Sequence, residues 1–255
     1  MRVVIIGAGN VATHLAIALD SVCDVVQVYS YHLDNAKTLA QLLKNAEATD
    51  KISQLKSNAD LYIISVKDDV ISNIVNDIEF STGLWVHTSG SVPVDVLKQK
   101  FDKCGVFYPL QTFSKGVEVE ISEVPFFIEG STPIVCEEIK GVASLLSNKI
   151  YDADSNQRKT IHVAAVFGCN FVNHLWMHAD EILKQSGFDF EILRPLIKAT
   201  LSKTEMISPY DGQTGPARRG DEKTMLAHEQ ILEEEKLKIY RLLSESIMSS
   251  YSDKK

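Results

Sequence analysis

The chain has 255 residues, 45% of them apolar, and a formal net charge of −8. That length holds one large or two modest domains, and that apolar content supports a sizeable core. The negative balance and the absence of any lysine-arginine run exclude a broad nucleic-acid surface. No apolar stretch reaches the ~18 residues a membrane span needs. The four cysteines (Cys23, Cys104, Cys136, Cys169) are scattered, with no CxxC and no metal spacing. They read as core thiols of a reducing compartment, so no metal and a cytoplasmic location are expected. The first predicted strand starts at residue 3, which leaves no room for a leader ahead of it.

That strand, Val3 to Ile6, runs straight into Gly7-Ala8-Gly9, and a helical apolar pattern follows from Asn10 to Leu19. A strand, a glycine turn and a helix N-terminus in this order make an anion site. Free backbone N–H groups and the positive end of the helix dipole favour a pyrophosphate there. Gly7 permits the tight turn, Gly9 lets phosphates approach the backbone, and Ala12 keeps helix and strand close. Asn10 and Val11 supply further amides.

The next strands are predicted at Asp24 to Tyr29, Leu61 to Val66, Leu84 to His87, Cys104 to Tyr108, Pro125 to Ile128 and Lys149 to Asp152. Helices are predicted between them at Asn35 to Lys44, Ile71 to Phe80, Pro93 to Phe101 and Ile134 to Ser147. Short runs rich in valine, isoleucine and aromatics suit strands buried on both faces. The alternation predicts an α/β fold: a doubly wound, mostly parallel sheet with helices on both sides. The pattern changes at the turn-prone Asp152 to Arg158. Beyond it come helical stretches at Lys159 to Gln185, Phe190 to Ile207 and Lys223 to Ser249. We therefore expect a nucleotide-binding Rossmann domain over 1–153 and an all-α domain over 154–255.

The second strand selects the cofactor. A carboxylate at its tip would bind a ribose 2′-hydroxyl and repel a 2′-phosphate. Here the tip reads Ser30-Tyr31-His32, and Asp34 comes later as a candidate helix cap. Ser30 can bond a phosphate, Tyr31 can stack on adenine, and His32 or Lys37 can add positive charge. NADP is thus favoured over NAD. Ser65, Val66 and Lys67 follow the third strand and would line the nicotinamide ribose and diphosphate. His87-Thr88-Ser89-Gly90 ends the fourth strand at the same sheet edge.

With these residues in view, the chain resembles the short-chain relatives of pyrroline-5-carboxylate reductase and the β-hydroxyacid dehydrogenases. More narrowly it is similar to Rossmann-like NADP oxidoreductases that carry a DUF2520 C-terminal domain. The carriers are GAGNVATHLA (7–16), HTSG (87–90), YPLQTF (108–113), HVAAVFGCNF (162–171) and TGPARRGD (214–221). The resemblance implies an N-terminal nucleotide domain and a helical dimerisation domain like the C-terminal part of 6-phosphogluconate dehydrogenase. It also implies a substrate cleft between the two. Two departures stand out. The β-hydroxyacid dehydrogenases carry a lysine four residues before an asparagine, whereas Val166 and Cys169 precede Asn170 and Asn173 here. Tyr108 stands where many of the narrower relatives have histidine.

Candidate substrate groups lie in the helical half. His162, Val166, Asn170, Asn173 and Met177 are spaced by three or four and share one face of an unbroken helix. Buried asparagines and a histidine on so apolar a helix need partners, and a substrate carboxylate or carbonyl would satisfy them, as would a neighbouring subunit or loop. The loop Asp211 to Asp221 holds adjacent Arg218 and Arg219, suited to bidentate binding of an anion. The alternative there is a loop braced by an ion pair from arginine to Asp221. For proton donation to a ketone, His87 or His162 would serve. The expected catalytic set is His87, His162 and Asn170, with Ser89, Asn173, Arg218 and Arg219 on the substrate.

The reading at this stage is an NADPH-dependent reductase of a small carboxylate-bearing imine or 2-oxo acid, homodimeric through its C-terminal helices. Its rivals are a ketopantoate-reductase-like enzyme and a nucleotide-binding sensor or scaffold that turns nothing over. A void facing the nicotinamide would favour an enzyme.

Overall fold

The computed structural model describes residues 1–252. Its contacts divide the chain into two compact units, one of residues Met1–Asn170 and one from Phe171 onward. In the first unit β1 (Arg2–Ile6) leads through the glycine turn into α1 (Asn10–Val22). There follow β2 (Asp24–Tyr29), α2 (Leu33–Ala40), β3 (Glu47–Thr49), β4 (Leu61–Ile64) and α3 (Ile71–Asp77). Then come β5 (Leu84–His87), α4 (Asp95–Lys98), β6 (Cys104–Pro109), β7 (Phe126–Gly130), α5 (Pro133–Ala143), β8 (Ile150–Asp152) and α6 (Ser155–Ala165).

The strands form one sheet in the order β3-β2-β1-β4-β5-β6-β7-β8. Every pairing is parallel except β6 with β7, which is antiparallel. The β6–β7 connection holds no crossover helix longer than the single turn Ile121–Glu123, so the chain returns beside the strand it left. The strand order reverses direction between β1 and β4. A crevice opens there at the carboxyl ends of the strands, and dinucleotide sites of this fold class lie in it.

Residues of one strand alternate between two cores, as the period of two requires. Val3 and Ile5 join a cluster with Leu15 and Leu19 of α1 and Ile139 of α5. Val4 and Ile6 join the opposite cluster with Ile71, Ile74 and Leu97. Each fully buried aliphatic side chain contributes roughly 1.5–3 kcal/mol. Trp85 anchors the second cluster, stacked between Tyr62 at 4.0 Å and Phe101 at 4.3 Å.

Three sequence expectations change here. β3 is a strand whose Glu-Ala-Thr carries none of the usual strand signal, and only its pairing with β2 defines it. The turn-prone run after Asp152, read as the domain boundary, is a helix start. Asp154 caps α6 and Gln157 returns a bond to the cap backbone, a full capping box. The long helix predicted over Lys159 to Gln185 is interrupted by a π-helical segment, Val166–Phe171, before α7 (Val172–Gln185). The compact units divide in this segment, later than residue 153, because α6 is fastened to the first unit through Arg158.

The second unit contains α7, α8 (Arg194–Lys203), α9 (Pro216–Arg219), α10 (Glu222–Glu229) and α11 (Glu234–Tyr251). Where one helix was predicted from Lys223 to Ser249, the chain turns back between α10 and α11. The reversal lets the Tyr240 hydroxyl meet His228 Nδ1 at 2.9 Å and Arg241 pair with Glu229. Among the described residues of this unit only His178, Ala217, Met225 and Ser244 are buried. Phe171, Trp176, Leu196, Leu201 and Leu242 are all exposed. No helix among the described residues is long and apolar enough to cross a membrane.

Candidate functional site

A cleft of about 840 Å³ lies in the first unit at the carboxyl ends of β1, β2, β4, β5 and β6. Gly7, Ala8 and Gly9 form its floor. Gly7 has φ +125°, and a Cβ there would sit 2.0 Å from the Ser65 carbonyl oxygen, so only glycine fits. Gly9 differs: a Cβ there would meet nothing within 4 Å. It stands at the N-cap of α1 with no side chain bonding the helix end. The first helical bond runs from Thr13 N–H to the Gly9 carbonyl at 2.9 Å. The amides of Asn10, Val11 and Ala12 thus have no acceptor within the helix. The donor set and the empty volume above Gly9 fit a diphosphate.

The walls come from the other strand ends. Ser30, Tyr31, His32 and Asn35 line the end beyond β2, and no carboxylate from that turn does. Tyr31 is 81% exposed, with its ring edge-on to His32 at 5.0 Å. Asp34 is not the cap of α2. It sits in the first turn behind His32, and no side chain caps that helix. Ser65, Val66 and Lys67 form the wall after β4. Thr88 donates to Ser65 Oγ at 3.0 Å, which ties the ends of β4 and β5 together. A second groove, about 780 Å³, is lined by α1, α2 and the loop 115–121 rather than by strand ends.

Of the residues singled out from sequence, Gly7, Gly9, Asn10, Val11, Ser30, Tyr31, Ser65, Val66, Lys67, Ser89 and His162 all line this one cleft. Asn10 also donates its side-chain amide to the Phe113 carbonyl at 2.9 Å, anchoring the loop after β6.

His87 does not line it. Its ring is fully buried, and Nδ1 accepts the Ser89 N–H at 3.2 Å. Nε2 makes no full hydrogen bond. Burial, and then the nearby Arg158 charge, push its pKa down to about 3, against a weaker opposing effect of the Pro93 carbonyl. A histidine so placed stays neutral near pH 7 and has no path to a ligand. The idea of His87 as proton donor is therefore corrected: it braces the turn after β5.

The polar stripe is also revised. The π segment widens the turn between His162 and Asn173, so the α-helical spacing that grouped them no longer applies. Asn170 and Asn173 are exposed rather than buried. Cys169 is exposed too, against the expectation of a core thiol. Asn173, Arg218 and Arg219 belong to the second unit. The Arg218 guanidinium lies 4.1 Å from the Tyr251 ring centre, a cation–π contact. No Arg–Asp221 pair braces the loop: Asp221 instead caps α10 by accepting from Thr224. No cluster of three or more potential metal ligands occurs among the described residues.

Two features escaped sequence reading. The first is Arg158, fully buried. Its Nε donates to the Ser89 carbonyl at 3.1 Å, one terminal nitrogen to the Val92 carbonyl at 2.5 Å and the other to Glu129 at 2.5 Å. It clamps the HTSG turn to α6 from partners far apart in sequence, which no local pattern announces. The second is the pairing of Tyr108 with His162, whose Nδ1 lies 3.0 Å from the phenol oxygen. Burial raises the Tyr108 pKa to about 12, so the phenol keeps its proton. Gly90 is wedged against this pair, and a Cβ there would lie 2.8 Å from the Tyr108 ring and 2.9 Å from His162.

The comparisons with known proteins agree with this architecture. A Rossmann-like domain model matches residues 1–111, and a model described as a domain of unknown function, DUF2520, matches residues 124–247. The crystal structure of "putative NADP oxidoreductase BF3122" from Bacteroides fragilis is 44% identical. The match covers 97% of this chain and 98% of that one, with a TM-score of 0.91. A reductive aminase from Aspergillus terreus, in complex with NADPH and ethyl levulinate, is 15% identical over 100% of this chain and 99% of its own, with a TM-score of 0.70. An imine reductase from Myxococcus stipitatus, in complex with NADP+, is 13% identical over 98% and 92%, with a TM-score of 0.69. At that identity the last two show a shared fold. No curated protein matches. The strand order, the glycine turn and near full-length identity to the Bacteroides protein converge: the chain belongs to the family that joins a Rossmann-like N-terminal domain to a DUF2520 domain.

Proposed function

We propose that this protein is an NADP-dependent oxidoreductase that reduces a small carboxylate-bearing imine or 2-oxo acid. The observation that carries the reading is the uncapped N-terminus of α1 above Gly9, at the floor of a cleft of about 840 Å³. Bound there, a reduced pyridine nucleotide would supply the hydride. The chain's own residues bind the nucleotide, orient the acceptor and provide a proton. Gly9, Asn10 and Val11 would hold the diphosphate through their amides. Ser30, His32 and Asn35 would meet a 2′-phosphate, with no carboxylate from the turn after β2 in the cleft wall to repel it. Ser65 to Lys67 would flank the nicotinamide end, and Ser89 and His162 the acceptor. The NADP named for the Bacteroides relative supports the same choice of cofactor.

Arg218 and Arg219 of the second unit are proposed separately as an anion site suited to a carboxylate. The exposed apolar residues of the second unit support a homodimer formed through those helices, since that unit buries so little of itself. The scattered cysteines support a cytoplasmic site of action. A titration of nicotinamide fluorescence tests the cofactor: NADPH should bind at least tenfold tighter than NADH, and tighter NADH would refute the preference. NADPH oxidation over a panel of small cyclic imines and 2-oxo acids then tests the reaction.

A further inference from the structure

With His87 sealed away, the cleft needs another group to protonate a reduced carbonyl, and only one imidazole among the described cleft residues has its chemistry set by a second side chain. Tyr108 leaves β6 at the carboxyl edge of the sheet, and His162 stands one helical turn beyond Arg158 on α6. Both line the cleft. We infer that Tyr108 is a positioning residue that donates its hydroxyl proton to His162 Nδ1, fixing neutral His162 as the Nε2–H tautomer and making Nε2 the proton donor to a carbonyl-class substrate. This rests on the oxidoreductase reading.

Four observations support it. The phenol is 8% exposed, and His162 Nδ1 is the one hydrogen-bond partner of its oxygen among the described residues. Donation to Nδ1 therefore satisfies a buried O–H that has no other acceptor. His162 Nε2 makes no hydrogen bond among the described residues, so it remains available to a ligand. Gly90 fits flush against the Nδ1 side of the ring and against the tyrosine, which restricts the imidazole to one seat. The same turn is fixed from beneath by Arg158 through Ser89 and Val92. The charged groups that act on the phenol, Arg158 and Asp68, oppose one another, and burial dominates both.

The proton balance closes within the pair and solvent. When the carbonyl carbon takes up hydride, which a bound reduced pyridine nucleotide would supply, the π electrons move to oxygen and that oxygen takes the Nε2 proton. Nδ1 takes the Tyr108 proton, and solvent returns one proton to the phenolate. A phenol held near 12 is still far more acidic than an ordinary alcohol, so the transfer runs downhill toward the product. A preformed iminium needs no such proton. Dependence on the pair should therefore be confined to carbonyl substrates.

The test is nitrogen NMR of the full-length protein with ¹⁵N-labelled histidine, with His162→Gln identifying the signal. The wild type should show a protonated Nε2 and an unprotonated Nδ1 near neutral pH. Tyr108→Phe should shift both toward the average of two exchanging tautomers. Adding oxamate, a 2-oxo acid analogue, with NADP+ should move the Nε2–H signal. A wild-type Nδ1–H tautomer, an unchanged tautomer in Tyr108→Phe, or an Nε2–H that oxamate leaves in place would each overturn the inference. In turnover of 2-oxo acids Tyr108→Phe should lower kcat at least tenfold, with NADPH affinity and iminium reduction held within about threefold. Equal losses on both substrate types would also overturn it. The tautomer is read without cofactor, so failure of NADPH to bind would sink the functional reading separately.

Discussion

Two glycines, two positions apart in sequence and different in role, define the nucleotide end of the cleft. Gly7 is required by the backbone: its φ is +125°, and a methyl group would strike Ser65. Gly9 has an ordinary extended conformation and open space where a side chain would go. Gly7→Ala should therefore lower Tm and expose the core. Gly9→Val should keep Tm within a few degrees while weakening NADPH binding by roughly 100-fold, about 2.7 kcal/mol. A thermal melt paired with a fluorescence titration distinguishes the two. His87 offers a second check at this scale. Its pKa is held near 3 in the fold against an ordinary value of 6.5, so the unfolded chain binds one more proton between those values. Stability from this residue is full above pH 6.5 and is lost as pH falls toward 3, by about 1.4 kcal/mol per unit within the window. His87→Asn keeps an acceptor for the Ser89 N–H and cannot titrate. Urea unfolding from pH 6.5 to 4 should show a slope shallower by one proton in that variant, and identical slopes would contradict the burial argument.

At the scale of elements, the turn after β5 is held by a helix that begins late in the unit. Arg158 of α6 reaches Ser89, Val92 and Glu129 with no exposure to solvent. Arg158→Ala leaves two carbonyls without their donor and Glu129 with the Ser155 hydroxyl but no cation, and should cost roughly 3–5 kcal/mol by chemical denaturation. A loss under 1 kcal/mol would mean the clamp is not needed. This clamp also shows what local sequence can and cannot reveal. The runs VVII and LYII and the turn after them carry their own periodicity and turn chemistry, so the sheet, the glycine turn and eleven of the cleft residues were readable. The capping box Asp154 to Gln157 was also present in the sequence, but its turn-prone composition reads equally as a domain boundary. Arg158, Tyr108 with His162, and the burial of His87 depend on partners dozens of residues away. The π segment likewise changes spacing, and a lone Gly168 inside a helical pattern does not announce it, so the asparagine stripe dissolved.

At the scale of the molecule, the first unit carries two apolar cores and the whole strand-end cleft, while the second buries only four of its described residues. Helices with Trp176, Leu196, Leu201 and Leu242 in solvent are poor candidates for an isolated monomer. Light scattering coupled to size exclusion should return about twice 28.4 kDa, and a monodisperse monomer at micromolar concentration would contradict the dimer. The account as a whole depends on the amides above Gly9 receiving a dinucleotide. Isothermal calorimetry of the purified protein with NADPH tests this most directly, run beside Gly9→Val. The account predicts saturable heat at one site per chain in the wild type and, in the folded variant, binding weakened roughly 100-fold. Absence of heat in the wild type, or equal heat in both, would contradict it.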